Sequence, residues 1–138
     1  MATLFRLQVM SINGVFFDGR VNAVIIPAID GDREIMAHHE EMVIAVYNGE
    51  MRIQTEDGNW RRAVVGIGSA QVANNRVTIL VDTCERPEDI DLRRAQEALE
   101  DAKEKMRQKK SIREYKMSQA AMARALSRIK SASRYDHM

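Results

Sequence analysis

The chain changes its local chemistry at Pro87, and that change dictates two unlike halves. Before it the sequence is punctuated by Asn13-Gly14, Asp18-Gly19, Asp30-Gly31, Asn48-Gly49, Asp57-Gly58 and Asn74-Asn75, pairs that supply the positive φ of tight hairpin turns. After Pro87 there is no glycine, and the good helix formers Ala, Glu, Lys, Arg and Met take over. A strand domain is therefore expected over residues 1–86 and a helical hairpin over 87–138. Ile90-Asp91-Leu92-Arg93-Arg94-Ala95 sits at the junction.

Between the turns, apolar residues fall on alternate positions, the period at which one face of a strand is buried. Phe5, Leu7 and Val9 alternate with Arg6 and Gln8, and Met51 and Ile53 with Glu50, Arg52 and Gln54. Further strands are predicted at Val15 to Phe17, Val21 to Ile26, Val43 to Tyr47, Trp60 to Val65, Ser69 to Asn74 and Arg76 to Val81. Eight or more short strands with no helix among them point to an antiparallel sandwich or barrel. Arg61-Arg62, with Glu50 opposite, reads as a solvated strand face.

Beyond Pro87 the period becomes helical. Ala95, Ala98, Leu99, Ala102 and Met106 predict one stripe, with Pro87 as the opening residue of the first helix. Glu88, Asp89 and Asp91 at its start and Lys103, Lys105, Arg107, Lys109 and Lys110 at its end complement the helix dipole. Ser111-Ile112-Arg113-Glu114 reads as a capping box opening a second helix. Its stripe is predicted to be Tyr115, Met122, Leu126 and Ile129, with small Ala120, Ala121, Ala123 and Ala125 alongside. A connection of about two residues forces the helices antiparallel. Alanine-rich helices bury little apolar area against each other, so the hairpin is expected to be marginal by itself and suited to switching between supports.

At 138 residues, 45% of them hydrophobic, the chain has material for one modest core and a small appendage. The net charge of +1 conceals an asymmetry: residues 1–86 hold eight Arg, no Lys and eleven acids, and residues 87–138 hold thirteen basic groups and nine acids. No apolar run reaches the ~20 residues that span a bilayer, and Leu4 to Met10 is too polar for a signal peptide, so a cytoplasmic location is expected. The single Cys84 cannot form an internal disulfide and reads as a small apolar residue at a strand end.

His38-His39 with Glu40-Glu41 is the one metal-like cluster, but neighbouring residues on a strand point to opposite faces, and no metal site is expected. No nucleophile with a base, phosphate-binding glycine loop or paired-carboxylate motif appears, so catalysis is not expected. The basic residues of the second half alternate with Glu97, Glu100, Asp101, Glu104 and Glu114, which excludes a nucleic-acid footprint. Arg124 and Arg128, four residues apart, share one helical face, and Arg94 lies one turn into the other helix. Three such guanidiniums would suit a phosphorylated ligand, but spacing alone favours surface ion pairs with Glu97 or Asp101.

Phe17-x-Gly19-x-Val21-x-x-Val24-x-x-Pro27, Gly49-Glu50-Met51-Arg52-Ile53, Asn75-x-Val77-Thr78-x-Leu80-x-Asp82 and Ile90-Asp91-x-x-Arg94-Ala95 follow one another in an order and spacing that resembles the epsilon subunit family of bacterial F-type ATP synthases. The resemblance runs from about Leu4 to Lys130. It implies an α+β chain: an antiparallel β-sandwich of about ten strands, then an antiparallel two-helix hairpin. It implies a non-catalytic subunit whose sandwich clamps the gamma subunit and rests on the c-subunit ring, peripheral to the membrane on its cytoplasmic face. The hairpin resembles a mobile brake on ATP hydrolysis, folded on the sandwich or extended into the alpha/beta catalytic head.

No cofactor is implied, but in some relatives ATP stabilises the folded hairpin. The residues that would hold it correspond here to Ile90, Asp91, Arg94, Ala95, Arg124 and Arg128, with Glu85 a neighbour. This chain departs from ATP-binding relatives at Asp101, where they place a base, and Glu34-Ile35, Glu41 and Ile67 also differ. The rival functions are a free-standing cytosolic nucleotide-sensing adaptor without a rotor partner, and a small enzyme using His38 or His39.

Overall fold

The computed structural model describes residues 3–108 and 112–136. Two compact units result, Met1–Arg86 and Pro87–Met138. The first holds nine strands: β1 (Phe5–Ser11), β2 (Gly14–Ala28), β3 (Gly31–Met36), β4 (Met42–Val46), β5 (Gly49–Thr55), β6 (Trp60–Val65), β7 (Gly68–Ala73), β8 (Arg76–Val81) and β9 (Cys84–Glu85). They are hydrogen-bonded in the order β4-β7-β8-β1-β2-β5-β6-β9, with β3 also on β2. Every pairing is antiparallel except that of β1 with β8, which is parallel.

The long strand β2 links the two layers. Its first half pairs with β1 and its second half with β5 and β3. Where it passes from one to the other, the register with β5 slips between Val21 and Ala23, and Asn22 Nδ2 donates to the Thr55 carbonyl at 2.9 Å. Across the slip the inward-pointing positions change parity: Val21 is buried before it, and Ala23, Val24 and Ile26 after it. Both layers then face one core, in which Leu7, Val9, Val77 and Ile79 meet Met51, Ile53 and Val65.

Two of the expected turns are not turns. Asp18-Gly19 lies inside β2, paired with Gln8 and Leu7, so Val15 to Phe17 and Val21 to Ile26 belong to one strand. Asn48-Gly49 leads from β4 to β5, strands that pair with β7 and with β2 and β6 and not with each other. Positive φ is instead found at Gly14, Gly31, Gly58, Asn74 and Asn75, the other four turns. Strand β3 was not predicted, because in Asp32-Arg33-Glu34-Ile35 only Ile35 is buried.

In the second unit a 3-10 turn, Pro87–Asp89, precedes α1 (Leu92–Gln108), and α2 (Ile112–Asp136) packs on both. The first helix thus opens at Leu92 rather than Pro87. Asp91 caps it: its carbonyl accepts from the Ala95 amide at 3.0 Å and its Oδ1 from the Arg94 amide at 3.2 Å. Glu88 and Asp89 stand in the 3-10 turn, outside the first turn of α1. The predicted capping box at Ser111 and the short connection lie outside the described residues.

The buried seam is made of small side chains. Ala95 and Ala102 on α1, and Ser118, Ala125 and Ala132 on α2, are buried at seven-residue intervals, so each set runs in a line along its helix. Tyr115 and Leu126, expected in the stripe, are exposed, as is Ala98, while Met122 and Ile129 are half-buried. Small residues let two backbones approach, and the larger ones are displaced to the flanks.

Candidate functional site

The face of β4, β7, β8, β1 and β2 turned away from the core is graded along the strands. Nearest one end, cross-strand pairing sets Ala45 beside Ser69, Ser69 beside Leu80, Leu80 beside Met10 and Met10 beside Val15, one row across five strands. Leu80 is 48% exposed, Val15 59%, and Ile12 in the adjoining turn 81%. The next row along is polar on four strands, Gln71, Thr78, Gln8 and Asp18, with the exposed Val43 of β4 beside Gln71. Beyond that, Arg76, Arg6 and Arg20 stand side by side on β8, β1 and β2.

Sequence reasoning missed the apolar row, although a signal was present. Val43 to Val46 and Ile79 to Val81 are continuous apolar runs, which belong to strands covered on both faces. In this structure one face of those strands meets the core, and on the other Val43 and Leu80 are exposed. Arg62 and Glu50 also depart from expectation: Arg62 Nε lies 3.3 Å from Glu50 Oε2, and both side chains are largely buried, whereas Arg61 is exposed. The solvated-face reading holds for Arg61 alone, because the pleat turns Arg62 to the other side.

The hairpin residues distribute unevenly. Ile90 and Ala95 are buried, and Asp91 uses its carboxylate to cap α1. Arg94 is exposed on α1, and among the described residues its guanidinium forms no ion pair; Arg93 pairs with Glu97 at 3.4 Å. Arg124 and Arg128 are one turn apart on α2, half-buried, with both Nε atoms shielded from solvent, and each is engaged with other groups. Asp101 is held by Lys105 at 3.1 Å on its own helix. Glu85 belongs to the strand unit, on β9 opposite Val64.

His38 and His39 occupy the segment between β3 and β4. His38 has φ 63°, and its amide donates to Asn75 Oδ1 at 2.8 Å, while His39 Nδ1 lies 2.9 Å from the Glu40 carbonyl. Among the described residues no three His, Cys, Asp or Glu side chains gather where they could hold a metal ion. Cys84 is buried opposite Val65; burial, with the Glu85 charge adding to it, pushes its thiol up to about 12. Hydrogen bonds from Thr55 first, then from Asn59, hold the Asp57 carboxyl below its ordinary value. Among the described residues no helix is long and apolar enough to cross a membrane.

Comparison with known proteins places this geometry. Residues 4–87 match the ATP synthase, Delta/Epsilon chain, beta-sandwich domain, and residues 88–133 the long alpha-helix domain of the same chain. The ATP synthase epsilon chain of Caldicellulosiruptor bescii is 41% identical over 128 residues, 93% of each chain. That of Ruminiclostridium cellulolyticum is 40% identical over 134 residues, 97% of this chain and 98% of the relative. A chain of the Euglena gracilis mitochondrial ATP synthase OSCP/F1/c-ring assembly shares the fold with TM-score 0.77 and 21% identity, covering 100% of this chain and 83% of that one.

Proposed function

Because the chain belongs to the ATP synthase delta/epsilon family, we propose that it serves as a non-catalytic stalk subunit that holds gamma by the outer face of its sheet and restrains ATP hydrolysis with its hairpin. The observation that supports this reading is the row Ala45, Ser69, Leu80, Met10 and Val15, apolar but for Ser69. Apolar residues from four of the five strands, exposed at Ala45, Leu80 and Val15, with Ile12 at the end, mark a protein-binding surface more than a solvated one. The Euglena assembly that shares the fold contains F1 and a c-ring. The proposal carries that setting to this chain, with the c-subunit ring and the alpha/beta head as its further partners and the cytoplasmic face of the membrane as its location.

The experiment is co-purification of the full chain with gamma from the same complex. Wild type co-elutes with gamma, and Leu80→Asp and Val15→Asp, which place charge on exposed positions and leave the core intact, weaken the complex about tenfold or more. Unchanged binding by both variants overturns the docking face.

For the hairpin, ATP is proposed as a regulatory ligand, with no cofactor required. Arg94, Arg124 and Arg128 are the groups suited to its phosphates, whereas Ile90, Asp91 and Ala95 support the helix that presents Arg94. Titration of the full chain with MgATP tests this: Arg124→Ala and Arg128→Ala weaken binding, and equal affinity across wild type and both variants assigns these arginines to structure alone.

A further inference from the structure

The arginine row on the graded face has no explanation in the fold itself. Arg6 stands opposite Arg76 in the parallel pairing with β8 and opposite Arg20 in the antiparallel pairing with β2. With strands ~4.8 Å apart, three guanidinium stems leave the sheet within about 10 Å, and all three residues are exposed. Like charges directly opposed across strands destabilise a sheet. Among the described residues one carboxylate pairs with them: Asp18, whose Oδ1 and Oδ2 lie 3.0 Å and 3.2 Å from the same Arg6 Nη2. Arg76 lines a hollow with Gln71, Ala73, Asn74 and Thr78, and Arg20 another that also contains Arg61, Glu56 and Asp57. The Asp57 carboxylate there is occupied by the Thr55 hydroxyl and by Asn59.

Residues 1–86 use arginine at all eight basic positions and lysine at none. Guanidinium forks bind carboxylates bidentately, which a lysine ammonium does not do. Arg76 and Arg6 are each four residues along the strand from Leu80 and Met10 of the apolar row, about 13 Å. An interface of ordinary size, about 800 Å² on each partner, covers both rows.

We propose that Arg76, Arg6 and Arg20 are the charged half of the docking footprint and clamp a carboxylate-rich segment of the same stalk partner that covers Leu80, Met10 and Val15. The proposal rests on the docking reading given under Proposed function. The apolar row supplies adhesion, and the arginine row sets register along the strands and draws the partner in. Its carboxylates relieve the repulsion that the free sheet tolerates.

The test measures association of the full chain with gamma at about 50 mM and about 500 mM salt. The variants are Arg6→Gln/Arg20→Gln/Arg76→Gln, the same three changed to Lys, and the remote control Arg33→Gln/Arg52→Gln. The glutamine triple is expected to associate about tenfold more slowly at low salt, with the difference vanishing at high salt. Its thermal midpoint should equal or exceed that of wild type, since opposed charges have been removed. The lysine triple keeps the salt dependence but binds more weakly than wild type.

Identical rates and salt dependence for wild type and the glutamine triple overturn the proposal, as does an equal loss in the control. If Leu80→Asp abolishes binding while the glutamine triple does not, the docking reading stands and the arginine clamp falls; if neither affects binding, both fall. Loss of binding by the glutamine triple to phosphatidylglycerol vesicles, with gamma binding unchanged, assigns the row to lipid headgroups and overturns the protein clamp.

Discussion

At the scale of single residues, burial and pleat decide roles that residue type leaves open. Cys84 is buried and its thiol is raised from 9.0 to about 12. The unfolded chain releases this proton near 9.0 and the folded chain near 12, so between those values the unfolded state binds fewer protons and stability falls as pH rises. Urea midpoints of wild type should therefore drop relative to Cys84→Ala between pH 9 and 11, and parallel pH profiles would refute this. At neutral pH the native thiol should resist a thiol-modifying dye until the chain is unfolded. Arg61 and Arg62 are neighbours in sequence, yet only Arg62 has its charge withdrawn from water beside Glu50. Arg62→Ala should cost about 2 kcal/mol by leaving a half-buried carboxylate, and Arg61→Ala less than about 0.5 kcal/mol. Equal urea midpoints for the two variants would show that the Glu50 pair contributes nothing.

At the scale of elements, what was legible followed from local chemistry, and what was missed needed a neighbour. Phe5 to Val9 declared a strand through its alternation, and Asn74-Asn75 a tight turn through residues that tolerate positive φ. Asp18-Gly19 carries the same turn chemistry but is extended, because β1 pairs along it. Asp91 was legible as a favourable acid at the start of the first helix, and Ala95 and Ala102 as members of its stripe, whereas the buried line of Ser118, Ala125 and Ala132 on the second helix was not. A moment built from large apolar residues points to Tyr115 and Leu126, which the close approach of two helices leaves outside. Two outcomes follow for the hairpin. Asp91→Ala should cost about 1 kcal/mol of helix stability and speed hydrogen exchange at the Arg94 amide, the group whose acceptor is removed. Ala125→Leu should cost about 1–3 kcal/mol by overpacking the seam, while Leu126→Ala, one residue away and exposed, should change the thermal midpoint little. A reversed order would mean that the seam lies elsewhere.

At the scale of the whole molecule, the two units are held by different means, a large apolar cluster in the first and a seam of small residues in the second. Every residue of the large core cluster, from Phe5 to Cys84, lies in the first unit. A fragment ending at Arg86 should therefore fold cooperatively and retain gamma binding, and a fragment that stays unfolded or loses gamma would refute this. The second unit buries small residues in its seam, and small side chains contribute little apolar area. If the hairpin is the proposed brake, a partner that favours one of its arrangements shifts its population by mass action. In the assembled ATP synthase, removing residues 88–138 should leave rotation coupled and raise the rate of ATP hydrolysis, measured on reconstituted complexes against wild type. The Ala125→Leu variant should shift hydrolysis in full-length complexes as well, because it changes the cost of keeping the helices paired without removing any charge. If the deletion leaves hydrolysis unchanged, the hairpin of this chain is not a brake, and its seam serves packing alone.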